Sequence, residues 1–233
     1  MLSMLDVTYL EDKTDNAALE SLCQAIQKAP MAPAAIFVYL RDLAFVKSLL
    51  ANYSIAFGVP VNFPQANKTK EQVIEELNLA KQLGADEIDV VIPYKDFLQR
   101  KDFTQIAQFV GFCRKALPTQ TLKVILETGE IKQAQDIYAL SIICCEQGAD
   151  FIKTSTGKVA MGATLDATKS IIGAIKDYHR QSGRQVGLKV SGGVRTVAQA
   201  QSYIDQVKEL LGEAWLTKEH FRIGASALFK ALC

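Results

Sequence analysis

Short apolar runs alternate along this chain with longer stretches in which hydrophobic residues recur every three or four positions. The short runs predict buried strands and the periodic stretches predict amphipathic helices. Eight strands are predicted, at Met4–Thr8, Ala35–Leu40, Ser54–Asn62, Glu87–Ile92, Leu122–Glu127, Asp150–Thr154, Gly187–Val190 and Phe221–Gly224. Eight helices are predicted between and after them, at residues 15–28, 41–51, 70–83, 103–117, 131–147, 165–181, 197–211 and 226–232.

Local signals mark the ends of several predicted helices. Two segments have the Thr-x-x-Gln pattern of a capping box, Thr69–Gln72 and Thr196–Gln199. Glycines stand where a helix C-terminus favours a positive φ, at Gly84, Gly148 and Gly212. These signals support the predicted boundaries.

Eight strands alternating with eight helices predict an α/β fold, a single (β/α)8 or TIM barrel. No linker rich in Pro, Gly and Ser divides the chain, so residues 1–233 are expected to form one domain. An open doubly wound sheet would need a glycine-rich turn after an early strand. The stretches VTYLED and VYLRD contain no such turn.

Composition and charge narrow the classes of partner. The chain is 49% hydrophobic and 22% charged, and its formal net charge is +1. Nothing in this balance favours nucleic acid or an anionic membrane surface. No apolar run approaches the ~18 residues that a membrane span needs, and the N-terminus lacks the pattern of a secretory signal.

The cysteines and histidines limit the chemistry. The five cysteines, which lack CxxC spacing, predict reduced thiols in a cytoplasmic protein. The two histidines, His179 and His220, lie in separate segments, so a histidine-rich metal site and a Ser-His-Asp triad are both poorly supplied. We therefore expect lysines and carboxylates to carry the chemistry, with no metal.

Two lysines end neighbouring predicted strands. Catalytic groups of a TIM barrel gather at the C-terminal ends of its strands, and the polar residues there are Asp6, Asn62, Asp89, Glu127, Lys153 and Lys189. A single lysine in such a place is more often an edge residue or a stem that reaches back to solvent. Lys153 and Lys189, however, converge in one core, where two like charges would not add stability.

Converging lysines suit nucleophilic catalysis. A free lysine has a pKa of ~10.4, so almost none of it is the neutral amine at pH 7. Burial and a second ammonium lower that pKa, and the neutral amine can then form a Schiff base with a carbonyl. Either lysine could attack, although the hydroxyls after Lys153 favour it. Asp89 would transfer protons or merely pair with a lysine, and Asp6 would orient the same network or be a structural partner.

Two glycine-containing turns indicate an anion site. SGGVRT, residues 191–196, follows the seventh predicted strand, and IGASAL, residues 223–228, follows the eighth. Glycines let backbone N–H groups turn toward an anion, and the loops after strands seven and eight of TIM barrels commonly hold phosphate.

The chain resembles the class I deoxyribose-phosphate aldolases over nearly its whole length. The matching stretches, in family order, are VNFPQ (61–65), ADEIDVVIPY (85–94), KVILETGE (123–130), GADFIKTSTGKV (148–159), GLKVSGGVRT (187–196) and FRIGAS (221–226). The resemblance implies a (β/α)8 barrel that reversibly cleaves 2-deoxy-D-ribose 5-phosphate to acetaldehyde and D-glyceraldehyde 3-phosphate without metal or other cofactor. The implied ligands are a small sugar phosphate and aldehydes; the oligomeric state is open, with a homodimer as one arrangement.

The resemblance also implies roles for individual residues. Lys153 resembles the Schiff-base lysine, Lys189 the lysine that perturbs it and Asp89 the proton-transfer carboxylate, while Asp6 matches a position in the same network. Residues that resemble the sugar-phosphate and phosphate-binding positions are Thr156, Gly157, Lys158, Gly192, Gly193, Gly224 and Ser226.

Three positions depart from the family pattern. Phe37 stands where several members have a cysteine, which we expect to bear on sensitivity to aldehydes and not on the core chemistry. Ala227 stands where a second serine is common, so one phosphate-binding hydroxyl is missing. The chain stops at Cys233, without the longer tail ending in tyrosine of some members, and we expect slower proton exchange.

Two rival functions are weighed against this one. The first is another class I Schiff-base aldolase, or a transaldolase, that acts on a different sugar phosphate. The second is a non-catalytic sugar-phosphate-binding barrel, which predicts that one of Lys153, Lys189 and Asp89 is replaced; all three are present.

Overall fold

Eight strands pair in parallel, each with its neighbours in the chain, and the first closes the ring by pairing with the last. The computed structural model describes residues 1–233. The strands are β1 Leu5–Tyr9, β2 Ala35–Val38, β3 Ala56–Val61, β4 Glu87–Val91, β5 Thr121–Ile125, β6 Phe151–Lys153, β7 Gly187–Ser191 and β8 Phe221–Gly224. The predicted (β/α)8 barrel is confirmed.

Ten α-helices accompany the strands. They are α1 Asn16–Lys28, α2 Leu40–Leu49, α3 Lys70–Gln82, α4 Tyr94–Arg100, α5 Phe103–Ala116, α6 Thr128–Ile131, α7 Ala134–Glu146, α8 Leu165–Ser182, α9 Val197–Leu211 and α10 Ala227–Leu232. Short 3-10 helices precede β1, at Leu2–Met4, and follow α9, at Glu213–Trp215. None of the helices combines the length and the apolar character that crossing a lipid bilayer requires.

The helix-end signals are confirmed. Thr69 and Thr196 each accept a hydrogen bond from the backbone N–H three residues later, and the glutamine there completes both capping boxes. Gly84, Gly148 and Gly212 have φ angles of +72°, +93° and +93°. These ends therefore follow from local sequence alone.

Two short helices and several boundaries differ from the prediction: β2 ends at Val38, so Leu40 belongs to α2, and β5 ends at Ile125, two residues before Glu127. The helices α4 and α6 lie in segments that the prediction leaves as a loop or merges with a longer helix. Helix α7 begins at Ala134 and not at residue 131, because Lys132 has a φ of +58° and breaks the chain direction between α6 and α7. A left-handed residue cannot continue a right-handed helix.

The strands bury both faces, with opposite chemistry on each. All residues of β4 are buried, and alternation along the strand places Ile88 and Val90 against the surrounding helices. The alternate residues Glu87 and Asp89 point into the barrel lumen, where both pair with side chains from other strands. The apolar layer between barrel and helices holds the fold, and the lumen contains most of the buried charged groups.

Candidate active site

The sequence register brings the polar strand ends together inside the barrel. Lys153 on β6 lies opposite Lys189 on β7, and Asp89 on β4 lies opposite Lys123 on β5. Each of these residues is at most 5% exposed. Side chains at equal heights on neighbouring strands meet in the lumen, so the barrel places the two lysines beside one another as the sequence predicts.

Asp89 joins the two predicted lysines. Its Oδ2 atom lies 2.7 Å from Lys153 Nζ and 2.7 Å from Lys189 Nζ. Burial alone would raise the pKa of Asp89, but Lys153, Lys189 and Lys123 outweigh it and hold that pKa below its ordinary value. Asp89 is therefore a carboxylate that accepts from both ammonium groups.

Asp6 lies on the far side of Lys189. Its carboxylate lies 2.6 Å from Lys189 Nζ and 2.5 Å from Arg222 Nη1. Burial would raise its pKa, but Lys189, Arg222 and Lys123 together hold the pKa well below its usual range. Of the two alternatives left open for Asp6, the geometry supports membership of the lysine network.

A second layer of charges lies deeper in the lumen, and sequence reasoning missed it. Glu87 on β4 accepts from Arg222 on β8 at 2.8 Å and also pairs with Lys123 on β5. The signal was present, because each of the three is a charged residue within an apolar strand, at the parity of a lumen residue. Their pairing connects strands that are far apart in sequence.

Within the two lumen layers the cations outnumber the carboxylates by one. The carboxylates are Asp6, Glu87 and Asp89, and the cations are Lys123, Lys153, Lys189 and Arg222. Three carboxylates offset three of the cations, and the fourth positive charge has only the more distant Glu127 to offset it. Burial of such a charge is costly unless the group gives up its proton.

Lys153 is the lysine that gives up its proton most readily. Burial lowers its pKa to about 8, although Asp89 acts in the opposite sense, and Lys189 contributes a further lowering. Burial also acts to lower the pKa of Lys189, but Asp6 and Asp89 outweigh it and raise that pKa. Both predicted causes, burial and a second ammonium, therefore lower the pKa of Lys153, and burial is the larger.

An open cavity of about 250 Å³ lies above this network, at the C-terminal ends of the strands. Lys153 and Asp89 line it, whereas Asp6 and Lys189 lie beneath its floor. The predicted substrate-binding residues all line it; they are Thr156, Gly157, Lys158, Gly192, Gly193, Gly224 and Ser226. Thr8, Ser191 and Arg195 also line the cavity and were not predicted.

Glycines allow the two loops over the cavity to approach one another. Gly157 and Gly192 have φ angles of +79° and +83°. A Cβ on Gly192 would lie 2.9 Å from Gly162 Cα and 3.3 Å from Gly157 Cα. Since side chains at these places would separate the loops, the close approach needs glycine.

Thr156 donates hydrogen bonds to a buried glutamate on the side away from the cavity. Its backbone N–H and its hydroxyl both donate to Glu127, the hydroxyl at 2.6 Å. Glu127 adopts a left-handed conformation, and burial raises its pKa despite these hydrogen bonds. Glu127 does not itself line the cavity, so it acts on the cavity through Thr156.

The other polar strand end, Asn62, closes a loop. Its Nδ2 donates to the carbonyl of Val91 at 2.9 Å, and its Oδ1 accepts from Lys68 N. Asn62 is not one of the residues that line the cavity.

No metal site is visible among these side chains. The structure contains no group of three or more His, Cys, Asp or Glu side chains that could hold a metal ion.

The arrangement suits carbonyl chemistry on a small anionic substrate. An amine with a lowered pKa faces the cavity next to a carboxylate that can take up a proton. Positive groups and glycine-rich loops line the opposite part of the cavity, where an anion could bind.

Known structures resemble this one closely. A putative deoxyribose-phosphate aldolase from Toxoplasma gondii ME49 is 27% identical, with 99% of this chain and 90% of that chain covered, at a TM-score of 0.91. A putative deoxyribose-phosphate aldolase from Coccidioides immitis is 25% identical, with 99% and 84% covered, at a TM-score of 0.82. A tetrameric deoxyribose phosphate aldolase from Aeropyrum pernix, 19% identical with 99% and 88% covered at a TM-score of 0.77, shares the fold.

The sequence also matches a family as a whole. The family described as DeoC/LacD family aldolase matches residues 1–231. That range includes both lysines, the carboxylates and every cavity residue named above. The chain therefore belongs to the DeoC/LacD family of aldolases.

Proposed function

We propose that this protein is a deoxyribose-phosphate aldolase, an aldehyde-lyase that reversibly cleaves 2-deoxy-D-ribose 5-phosphate to acetaldehyde and D-glyceraldehyde 3-phosphate. The observation that carries the proposal is the position of Lys153. Its amine, with a pKa lowered to about 8 by burial, opens onto a cavity whose far wall is built for an anion. The likeness to structures named deoxyribose-phosphate aldolases supports this substrate.

The reaction begins with Lys153 as nucleophile. Its neutral amine attacks C1 of the open-chain sugar to give a carbinolamine, and loss of water leaves a protonated imine. Lys189 stays an ammonium, bound to Asp6 and Asp89, and keeps a positive charge next to the reacting nitrogen.

Carbon–carbon cleavage then uses Asp89. A water held by this carboxylate accepts the proton of the C3 hydroxyl as the C2–C3 bond breaks, and the iminium accepts the electron pair to become an enamine. Glyceraldehyde 3-phosphate departs with its new aldehyde. Protonation of the enamine carbon and hydrolysis of the imine release acetaldehyde and restore Lys153.

The phosphate fits the other end of the cavity. The backbone N–H groups of Gly192, Gly193 and Gly224, with the hydroxyl of Ser226, suit phosphate oxygens. Arg195 and Lys158 add positive charge at the same wall, although Lys158 Nζ also donates to the carbonyl of Leu10 at 2.7 Å. Ala227 lines the cavity without a hydroxyl to contribute.

A substrate panel tests the assignment. Turnover of deoxyribose 5-phosphate, of fructose phosphates and of the corresponding aldehydes in the synthetic direction would be compared. We expect deoxyribose 5-phosphate to have the highest kcat/KM. A higher value for another sugar phosphate would favour the rival, a different class I Schiff-base aldolase or a transaldolase.

A trapping experiment tests the mechanism. The wild-type protein is incubated with acetaldehyde and borohydride, which reduces an imine to an N-ethyl lysine, and its peptides are mapped by mass spectrometry. We expect the adduct on Lys153 and its loss in Lys153→Ala. An adduct on Lys189 alone would exchange the roles of the lysines, and no adduct would contradict the Schiff base.

We also propose a reducing compartment such as the cytoplasm. All five cysteines are free, and Cys23, Cys113, Cys144 and Cys145 are buried. Burial raises the pKa of the Cys145 thiol to about 12, so the thiol form persists. The homodimer stays a prediction that light scattering would test.

A further inference from the structure

Phe37 lies between the two lumen layers with its ring face toward positive charge. It is a buried residue of β2 and the one aromatic side chain that lines the cavity. Lys189 Nζ lies 3.6 Å from the ring centroid, and Lys123 Nζ lies 4.6 Å from it. The face of an aromatic ring carries negative potential and attracts an ammonium, most strongly where water is excluded.

A glycine on the neighbouring strand makes room for this ring. Gly58 on β3 lies opposite Phe37, and a Cβ there would overlap the ring. The same device recurs across the barrel, where Gly187 on β7 leaves space for Phe151 on β6. Phe151 faces Lys123 and Arg222 at 5.5 Å each, but not Lys189.

Phe37 completes the surroundings of the Lys189 ammonium. An ammonium has three N–H donors and no acceptor. Around Lys189 Nζ lie Asp6 Oδ2 at 2.6 Å, Asp89 Oδ2 at 2.7 Å and the Phe37 ring. Lys153 Nζ, by contrast, has a single hydrogen-bond partner, Asp89, and faces the cavity.

We propose that Phe37 is a positioning residue that decides which lysine reacts. The ring face contacts the Lys189 ammonium on the side that its two carboxylate partners leave free. The ring also separates this ammonium from the cavity, so that Lys153 is the lysine that attacks the aldehyde. This inference rests on the Schiff-base function proposed above. It extends the role of Phe37 from aldehyde sensitivity to the choice of nucleophile.

Removal of the ring should let Lys189 react. In Phe37→Leu, which keeps an apolar side chain but has no π-face, the acetaldehyde and borohydride experiment should place at least about a tenth of the N-ethyl adduct on Lys189. The wild-type protein should carry it on Lys153 alone. The matched control is Phe151→Leu, which removes the other glycine-seated ring and should leave all of the adduct on Lys153.

A second variant keeps the shape of the ring and removes its charge distribution. Genetically encoded 2,6-difluorophenylalanine at position 37 carries its fluorines on the Cδ atoms and not on the Cε and Cζ atoms that pack against Gly58, and these fluorines withdraw negative potential from the ring face. We expect adduct on Lys189 here too, which a purely space-filling role would not produce. Because the substituted ring is nearly isosteric, this protein remains testable if Phe37→Leu does not fold.

The outcomes separate this inference from the function beneath it. Labelling of Lys153 alone in the wild-type and difluorinated proteins would overturn the role of Phe37 and leave the Schiff base intact. Equal labelling of Lys189 in Phe37→Leu and Phe151→Leu would also overturn it, because any loosening of the lumen would then suffice. Absence of adduct from the wild-type protein would refute the proposed function itself.

Discussion

Lys153 and Lys189 donate to the same oxygen of Asp89, but their pKa values shift in opposite directions. Lys153 is a buried cation with one partner, and burial depresses its pKa. Lys189 has two carboxylate partners, which raise its pKa. In the proposed mechanism, the same residue type therefore serves as nucleophile in one place and as fixed charge in the other.

Methionine substitutions should separate catalysis from stability at these positions. Lys153→Met and Lys189→Met are each expected to reduce kcat/KM by about a thousandfold or more. Lys153→Met should leave the free energy of unfolding unchanged or raise it by about 1–4 kcal/mol, because it removes the charge that the lumen does not balance. Lys189→Met should lower it by about 3–5 kcal/mol, because Asp6 and Asp89 lose their shared partner.

Urea unfolding of the two variants at pH 7 measures the difference. Each side chain has similar volume in the methionine variant, so packing changes little and the comparison reports charge. Equal destabilisation by both substitutions would contradict the distinction drawn between the two lysines.

The pH dependence of trapping should follow Lys153. A nucleophile with a pKa of about 8 gains neutral amine as the pH rises, so the rate of adduct formation should increase about tenfold per pH unit below that value and level off above it. In Asp89→Asn the carboxylate that favours the charged lysine is gone, so the rise should move to lower pH. A midpoint that is unchanged or higher in Asp89→Asn would show that Asp89 does not set the protonation of Lys153.

At the scale of strands and helices, glycine has two distinct uses in this fold. Gly58 in β3 leaves the space that the Phe37 ring fills. No close contact requires glycine at position 173 in α8, because a Cβ there would meet only Tyr138, at 3.7 Å. The first glycine is required by a close approach between strands, and the second merely weakens its helix.

Alanine substitutions should therefore have opposite signs at the two positions. Gly58→Ala is expected to lower the free energy of unfolding by about 1–3 kcal/mol, since the ring must move. Gly173→Ala should raise it by about 0.5–1 kcal/mol, since alanine favours the helix. Denaturant unfolding of both proteins tests this, and stabilisation by Gly58→Ala would refute the close packing inferred at Phe37.

Elements of local origin were predictable, and elements of tertiary origin were not. Strand β4 follows from its apolar run and α3 from its capping box, because each is specified by neighbouring residues. The break before α7 depends on Lys132 adopting a left-handed conformation, which residue type does not favour. Backbone geometry of this kind is not specified by neighbouring residues and leaves no pattern in the sequence.

At the scale of the whole molecule, the same limit applies to the lumen. Lys153, Lys189 and Asp89 could be placed together because each lies on a recognisable strand. The pairing of Glu87 with Arg222 could not, because it spans the barrel and requires closure. The roles of these deeper residues emerge only when residues 6 and 222 become neighbours at the seam between β1 and β8.

That seam leads to a prediction about the stability of the barrel. Strands β1 and β8 are paired in register at two positions only, Leu5 with Ile223 and Asp6 with Gly224. Arg222 reinforces the junction by pairing with Asp6 across it and with Glu87 on the opposite side of the lumen. Arg222→Met leaves both carboxylates without this partner and should lower the free energy of unfolding by about 3–5 kcal/mol.

The effect of Arg222→Met should be local before it is global. Amide hydrogen exchange should accelerate first in β1 and β8, since these strands have few backbone pairings with each other and lose the Arg222–Asp6 ion pair across the seam, while Glu87 on β4 keeps Lys123. Arg180→Met is the matched control: Arg180 pairs with Asp177 at 3.0 Å but is 76% exposed, so its loss should leave stability nearly unchanged. Uniform acceleration throughout the barrel, or equal destabilisation by the two substitutions, would mean that the ion pairs of Arg222 do not close the barrel.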